Sequence, residues 1–186
     1  MPRTGASVSR TEVLGLSAIT DSPDAVRRAT REQLAHGASQ IKIAGGGGII
    51  SLYDPIDVNE LIEPEIRAAV EAADDWGTYV AAHVYRPDGI RRCLAAGVKC
   101  IEHGQLSDAT TAKMMADKGV WWSLQAFLDD EDATHFPPGS DGFEKQRKVT
   151  EGTERSYHLA KKDKIKTSWG TDILFDAKQT ERQQLS

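Results

Sequence analysis

The sequence predicts an α/β fold in which about five parallel strands alternate with helices. Short, nearly continuous apolar runs occur at 40–44, 79–84, 98–103, 120–124 and 167–172, and a stretch with helical periodicity precedes each run. Apolar strands joined by helices are typical of a parallel sheet that is buried on both faces. Four runs carry a chemically reactive side chain at or near the carboxyl end, which is typical of a barrel with one active mouth. Periodicity alone leaves a doubly wound sheet as the alternative, and the places of the reactive side chains favour the barrel. Because 186 residues are fewer than the roughly 250 of a complete barrel, the predicted architecture is a partial (β/α)8 TIM-type barrel.

The helices are predicted from their start and stop signals. Ser22-Pro23-Asp24 is a helix-start signal, and the apolar stripe that follows it stops at Gly37. The same reasoning predicts the later helices, which cover 60–76, 87–96, 107–118 and 143–162. We expect residues 1–20, which are rich in Ser, Thr and Gly, to form a loop or displaced terminus, and 21–186 to form the partial barrel domain.

Composition and charge exclude several classes of protein. Apolar residues make up 39% and charged residues 27% of the 186 residues, as in an ordinary soluble globular domain. The net charge is −5 and Lys and Arg are scattered, which argues against nucleic acid as a partner. No run is long enough to span a membrane. The two cysteines, Cys93 and Cys100, fit a reduced, cytoplasmic environment better than a disulfide, although an upstream signal peptide is compatible with the sequence.

Two histidines end neighbouring apolar runs. His83 and His103 are each followed by a turn and a helix, so parallel strands would bring both imidazoles to the same rim. Neutral imidazole nitrogens suit zinc or a similar divalent ion. A single histidine of this kind is more often a core residue bonded to backbone, but two in equivalent places favour a metal site.

Lys42 lies in the middle of the apolar run Ile41-Lys42-Ile43, where we expect it to be buried. A buried ammonium needs a reason, because desolvation of the charge is costly. Lys42 could pair with a carboxylate, form a Schiff base, or react with carbon dioxide to give an anionic carbamate that binds metal. A lysine that extends to solvent from an edge strand is the structural alternative.

Asp172 follows Trp169-Gly170-Thr171 at the end of the last predicted strand. A carboxylate at this place could bind a metal and accept a proton from a metal-activated water, a combination that suits hydrolysis. A turn aspartate is the more ordinary interpretation of Gly-Thr-Asp considered alone.

The ordered series of these residues resembles a known superfamily. Ile41-Lys42-Ile43-Ala44-Gly45-Gly46, Ala82-His83, Ile101-Glu102-His103-Gly104 and Gly170-Thr171-Asp172 are similar to motifs of the amidohydrolase superfamily. The resemblance covers roughly residues 20–175. It is strongest to the branch of Xaa-Pro dipeptidase-like, arginine carboxypeptidase-like and imidazolonepropionase-like enzymes.

The resemblance implies a role for each residue in a centre that holds one or two divalent ions, zinc above all, with manganese, cobalt or iron compatible with the same ligands. Lys42 resembles the carboxylated bridging lysine on strand four of the barrel. His83 and His103 resemble the second-metal ligands on strands five and six, and Asp172 resembles the strand-eight ligand and general base. Tyr85 resembles a tyrosine that holds the substrate carboxylate or carbonyl, while a packing tyrosine is an equal alternative.

The chain departs from the superfamily pattern at its ends. Superfamily members carry a His-x-His pair on the first strand, and this sequence has no such pair. The chain therefore resembles strands four to eight of the barrel, and we expect a fragment that is prone to self-association. The other histidines, His36, His135 and His158, are interpreted as structural or solvent-facing. Arg86 and Gln125 line the same predicted mouth and are interpreted as solvated loop residues, with a role as polar specificity groups as the alternative.

The predicted function is metal-dependent hydrolysis of an amide or peptide-like C–N bond in a small-molecule or dipeptide-like substrate. One alternative is an inactive barrel fragment that acts at most as a metal-binding or interaction module. A second alternative is an aldolase that uses Lys42 as a Schiff-base amine, but an aldolase has no need of the two histidines and Asp172.

Overall fold

The computed structural model describes residues 17–51, 53–126, 136–170 and 172. Five parallel strands form one sheet in the order β1-β2-β3-β4-β5, and a helix precedes each strand. The prediction of five parallel strands alternating with helices is confirmed. The elements are α1 Pro23–Ala35, β1 Ile41–Ala44, α2 Glu63–Asp75, β2 Val80–Val84, α3 Pro87–Ala96, β3 Cys100–His103, α4 Ala109–Asp117, β4 Trp121–Leu124, α5 Asp141–Lys162 and β5 Lys166–Trp169.

The helices begin and end for local reasons that the sequence contains. The side chain of Ser22 accepts a hydrogen bond from the backbone N–H of Ala25, and Pro23 occupies the first turn of α1, where its missing N–H costs nothing. Ser140 caps α5 in the same way through the N–H of Phe143. Gly97 follows α3 with φ of 101°, a left-handed conformation that glycine adopts without strain.

One face of the sheet carries the hydrophobic core. Because side chains alternate along a strand, every second residue of each strand faces the helices. This core face packs against the apolar stripes of the helices, and its members are Ile41, Val80, Ala82, Val84, Ile101, Trp122 and Leu124. The opposite face, here called the open face, follows from the strand register and includes Lys42, Ala44, Ala81, His83, Cys100, Glu102, Trp121 and Ser123.

The expected boundaries of the elements differ from the observed ones by a few residues at most. The last strand ends at Trp169, before the Gly170-Thr171-Asp172 segment that was expected to complete it. Residues 1–16 lie outside the described residues, as does His135, so the prediction for the terminus 1–20 is not tested. Within the described ranges, no helix combines the length and the apolar character that a membrane span requires.

Candidate active site

His83 lies at the carboxyl end of β2 and on the open face. Its neighbours in the register are Ala44 of β1 and Glu102 of β3. The ring atom Nε2 is 3.0 Å from the carbonyl oxygen of Gly47, in the glycine-rich segment that follows β1. A carbonyl oxygen only accepts, so Nε2 carries the proton and Nδ1 is the ring atom with a lone pair.

His103 reaches the same site by an unexpected route. The register pairs His103 with Val84, and strict alternation would therefore direct its side chain to the core face. The backbone of His103 instead has φ of 70°, a left-handed conformation, and Gly104 follows with φ of 74°. The consequence is that the ring centroids of His103 and His83 are only 4.5 Å apart.

Two polar side chains fix His103. The side-chain oxygen of Gln125 lies 2.9 Å from Nδ1 of His103, and the indole N–H of Trp122 donates to the carbonyl oxygen of His103 at 2.6 Å. His103 and Gln125 are both 2% exposed. The expectation that Gln125 is a solvated loop residue is wrong, because this residue directly follows β4 and its amide is buried against the ring of His103.

Tyr85 completes an aromatic cluster with the two histidines. Its ring stacks on His103 at a centroid distance of 5.0 Å and meets His83 edge-on at 5.2 Å. The side chain is 2% exposed, and burial together with the charge of Asp172 raises the pKa of the phenol well above its usual range. Tyr85 therefore keeps its proton and remains a hydrogen-bond donor at any physiological pH.

Both histidines are held in the neutral form. Burial lowers the pKa of His83, and the positive charge of Lys42 lowers it further, while Asp172 and Asp54 act in the opposite direction. Burial, His83 and Lys42 lower the pKa of His103 well below its usual range. Neutral imidazole is the form that binds a metal ion.

Lys42 lies on the open face but is exposed, so the expectation of a buried ammonium is wrong. The strand buries Ile41 against the helices, whereas Lys42 and Ala44, on the opposite side of this edge strand, are exposed. The charge of Lys42 nevertheless acts on both histidines. Among the described residues, a lysine that is buried is Lys145 of α5, which is 3% exposed.

Asp172 is partly buried, with φ of 47°, and its charge acts on His83 and Tyr85. Among residues 17–51, 53–126, 136–170 and 172, no three His, Cys, Asp or Glu side chains are grouped closely enough to hold a metal ion. The structure thus brings His83, His103 and Tyr85 together, while Lys42 and Asp172 lie within electrostatic range of the cluster.

A buried carboxylate beside His83 was not predicted. Asp54 is 7% exposed, and its Oδ2 accepts a hydrogen bond from the N–H of Gly48 at 3.0 Å. Its charge acts on His83. Four consecutive glycines, Gly45 to Gly48, let the backbone pass close to the histidine, and a Cβ on Gly47 would overlap with the carbonyl oxygen of Pro55. The glycine run was the signal for a close approach of this kind.

The remaining residues of interest are peripheral to this cluster. Arg86 donates to the carbonyl oxygen of Asp57 at 2.6 Å and pairs with Asp88 at 3.0 Å, so it is a structural residue of the mouth and not a free loop side chain. His36 caps the end of α1 and is exposed, and His158 is exposed on α5 near Glu154, as expected for both. Cys93 and Cys100 are both free and buried.

The sequence is similar to proteins from a fungus and from mycobacteria. The chain is 34% identical over 102 residues to ochratoxinase of Aspergillus niger, a match that covers 55% of this chain and 21% of that protein. It is 27% identical over 122 residues to an uncharacterized protein of Mycobacterium bovis, covering 61% of this chain and 31% of the relative. The chain thus spans about a fifth to a third of the curated relatives it matches.

Solved structures extend the similarity to nearly the whole chain. A prolidase complexed with N-methylphosphonate-L-proline superposes with a TM-score of 0.83 at 32% identity, covering 95% of this chain and 45% of the prolidase. A solved amidohydrolase gives a TM-score of 0.82 at 35% identity, covering 99% of this chain and 48% of its own. The model of the amidohydrolase family matches residues 4–172. Because this match includes most of the sequence and every predicted site residue, the chain belongs to the amidohydrolase family.

Proposed function

We propose that this chain forms the catalytic part of a metal-dependent hydrolase that cleaves an amide or peptide-like C–N bond. The observation that carries the proposal is the pair of neutral imidazoles, His83 half-buried and His103 buried, whose ring centroids are 4.5 Å apart and which are each fixed by an oxygen acceptor. Metal-binding histidines almost always donate their other ring N–H to a carbonyl or carboxylate, which is the arrangement found here. Membership of the amidohydrolase family supports the same reaction class.

The two imidazoles are donors of the type that suits a divalent ion such as zinc. With Nε2 of His83 donating to Gly47, Nδ1 would be the atom of that ring available to a metal, and with Nδ1 of His103 bonded to Gln125, Nε2 would be the corresponding atom of the second ring. Asp172 and a carboxylated Lys42 would supply the oxygen ligands. A bound ion would polarise the substrate carbonyl and lower the pKa of a water molecule toward about 7.

The side chains around the histidines have distinct tasks in this proposal. Asp172 accepts the proton that water loses and delivers it to the leaving nitrogen, and its partly buried carboxylate is near enough for its charge to act on His83. Tyr85 stays protonated, so its hydroxyl donates to a carboxylate or carbonyl oxygen of the substrate. The phenol and the imidazoles also exclude water from this side of the site, because all three rings pack against one another.

We propose a dipeptide or a similar small acyl-amino-acid as the substrate class. The solved prolidase is complexed with N-methylphosphonate-L-proline, a ligand with a carboxylate beside a cyclic nitrogen, and the donor Tyr85 suits a carboxylate of this kind. Two free, buried cysteines agree with a reducing compartment, so the proposed location is the cytoplasm.

The experiment that tests the proposal combines metal analysis with hydrolysis assays on the 186-residue chain. We expect at least one tightly held divalent ion, and release of free amino acid from Xaa-Pro dipeptides and acyl-amino-acids. The double variant His83→Ala and His103→Ala should lose both properties, whereas His158→Ala, on the exposed surface of α5, should keep them. A folded chain with metal but without turnover would point to a metal-binding module, and a folded chain without metal would contradict the proposal.

A further inference from the structure

Lys145 is a buried lysine outside the site described above. It extends from the first turns of α5, and its side chain is 4% exposed. Its Nζ lies 2.8 Å from the carbonyl oxygen of Asp54, 3.3 Å from that of Ser51 and 2.6 Å from a carboxylate oxygen of Asp141. An ammonium has three N–H donors, and these three oxygens satisfy all of them.

The two carbonyl groups belong to the segment between β1 and α2 that approaches His83. Lys145 is therefore bonded to a segment more than 90 positions earlier in the chain, as the separations of 91 and 94 residues show. Two further hydrogen bonds link this segment to His83. The carboxylate of Asp54 accepts from the N–H of Gly48, and the adjacent carbonyl of Gly47 accepts from Nε2 of His83.

We infer that Lys145 is a positioning residue for His83, acting through the hydrogen bonds of the Gly47–Asp54 segment. The buried ammonium fixes the backbone at Asp54, the Asp54 carboxylate fixes Gly48, and the Gly47 carbonyl then selects the Nε2–H tautomer of His83. This inference rests on the proposed function for its consequence, which is that Nδ1 of His83 is presented to a metal ion. The positioning itself concerns the metal-free chain.

The cost of burying a charge is the physical argument for this role. A lysine ammonium in a nearly closed environment is retained only where its donors are fully used, because removing the charge from water is costly. A purely structural contact between α5 and the segment could be made by an apolar side chain at lower cost. The two carbonyl acceptors, Ser51 and Asp54, instead give the segment a defined position, since they must lie in fixed directions around Nζ. The third acceptor, Asp141, lies on α5 itself and holds the ammonium in place.

The test reads the tautomer of His83 directly in the metal-free chain. Long-range proton–nitrogen correlation spectra of the chain labelled with ¹⁵N-histidine distinguish Nε2–H from Nδ1–H rings, and a His83→Gln variant assigns the signals. We expect the parent chain to show the Nε2–H form of His83. Lys145→Met should convert this signal to a mixture of tautomers, and Lys148→Met, an exposed lysine on the same helix, should leave it unchanged.

A second pair of variants covers the case in which Lys145→Met does not fold. Asp54→Ala removes the bond to Gly48 and should also mix the tautomers, whereas Asp54→Asn keeps an acceptor oxygen and should retain the Nε2–H form. Folded Lys145→Met or Asp54→Ala chains with an unaltered His83 signal would overturn the inference.

Metal titration with Co²⁺ separates this inference from the proposed function. Where the parent chain binds the ion, we expect Lys145→Met to bind it roughly 10-fold more weakly, as for loss of other residues that orient metal ligands. A parent chain that binds no ion, but whose His83 tautomer still changes in Lys145→Met, would support the positioning role and contradict the hydrolase proposal.

Discussion

The imidazoles of His83 and His103 lie 4.5 Å apart although the strand register assigns their residues to opposite faces of the sheet. The left-handed backbone of His103 is the cause, because φ of 70° rotates its side chain out of the alternation that the strand would otherwise impose. Non-glycine residues with positive φ are uncommon, and they occur often at functional sites where the surrounding structure fixes them. Here Gly104, the indole of Trp122 and the amide of Gln125 provide that support.

Gly104→Ala should destabilise the chain by about 2 kcal/mol or more. Gly104 has φ of 74°, and an added Cβ would lie 2.6 Å from Nε1 of Trp122, so the substitution strains the backbone and displaces the indole that bonds to His103. Urea unfolding measures the change in free energy. Gly37→Ala is the matched control, because Gly37 has φ of 96° and no atom within 4 Å of the added Cβ. Its cost should be limited to about 1 kcal/mol of backbone strain. Equal losses in the two variants would show that the contact with Trp122 does not matter.

Gln125→Leu should weaken metal binding roughly 10- to 100-fold while leaving the fold intact. The leucine fills a similar volume but removes the oxygen that accepts from Nδ1 of His103, so the ring loses the partner that sets its tautomer and orientation. Competition with a coloured chelator measures the affinity. Gln125→Glu retains an acceptor oxygen and should bind metal much more tightly than Gln125→Leu. If both variants bind metal as the parent does, the amide has no role in the site.

Much of the fold was predictable from the sequence because it depends on local patterns. The apolar runs and their glycine stops predict five strands and their helices, and Ser22 and Ser140 cap the helices that follow them. The convergence of His83 and His103 was also predictable, since carboxyl ends of parallel strands share one edge. The reason for it was not, because register alone directs His103 to the wrong face.

The incorrect and missing predictions concern contacts between distant parts of the chain. Periodicity indicated a buried lysine at Lys42, which is exposed, whereas Lys145 is buried and has backbone partners that lie 91 and 94 positions away. Asp54 and Gln125 gave no periodic signal, since Asp54 lies in the irregular segment between β1 and α2 and Gln125 directly follows β4. Side chains of this kind are identified by three-dimensional contacts and not by spacing.

Acidification should destabilise the metal-free chain in a way that depends on His103. Burial keeps the pKa of His103 well below its ordinary value near 6.5. Below pH 6.5 the unfolded chain therefore binds a proton at this histidine that the folded chain does not bind. Stability that is present above pH 6.5 should therefore be lost as the pH falls toward the folded pKa, by roughly 1 kcal/mol per pH unit for one such group. Urea unfolding in the presence of a chelator, at pH values between 7.5 and 5, measures this slope.

His103→Gln removes the titrating group and should reduce the slope of the free energy of unfolding against pH by the contribution of one histidine. His158→Gln is the control, since His158 is exposed and its loss should not change the slope. A pH dependence that is the same in His103→Gln and in the parent chain would show that His103 does not remain neutral in the folded state.

Lys42 should react with carbon dioxide when the site binds metal, and bicarbonate should therefore increase metal binding. As an ammonium, Lys42 places a positive charge close enough to lower the pKa of both histidines, and the same charge opposes a divalent cation. Carboxylation replaces that cation by an anion with two oxygen donors, and the exposed position of Lys42 on the open face leaves the amine accessible to the reagent.

Titration with Zn²⁺ with and without bicarbonate measures the gain in affinity, and ¹³C-labelled bicarbonate gives a carbamate carbon signal by NMR. Lys42→Met should abolish both effects, whereas Lys99→Met, which replaces another exposed lysine, should retain them. Metal binding that is unaffected by bicarbonate, with no carbamate signal, would show that Lys42 acts in this chain only as a cation.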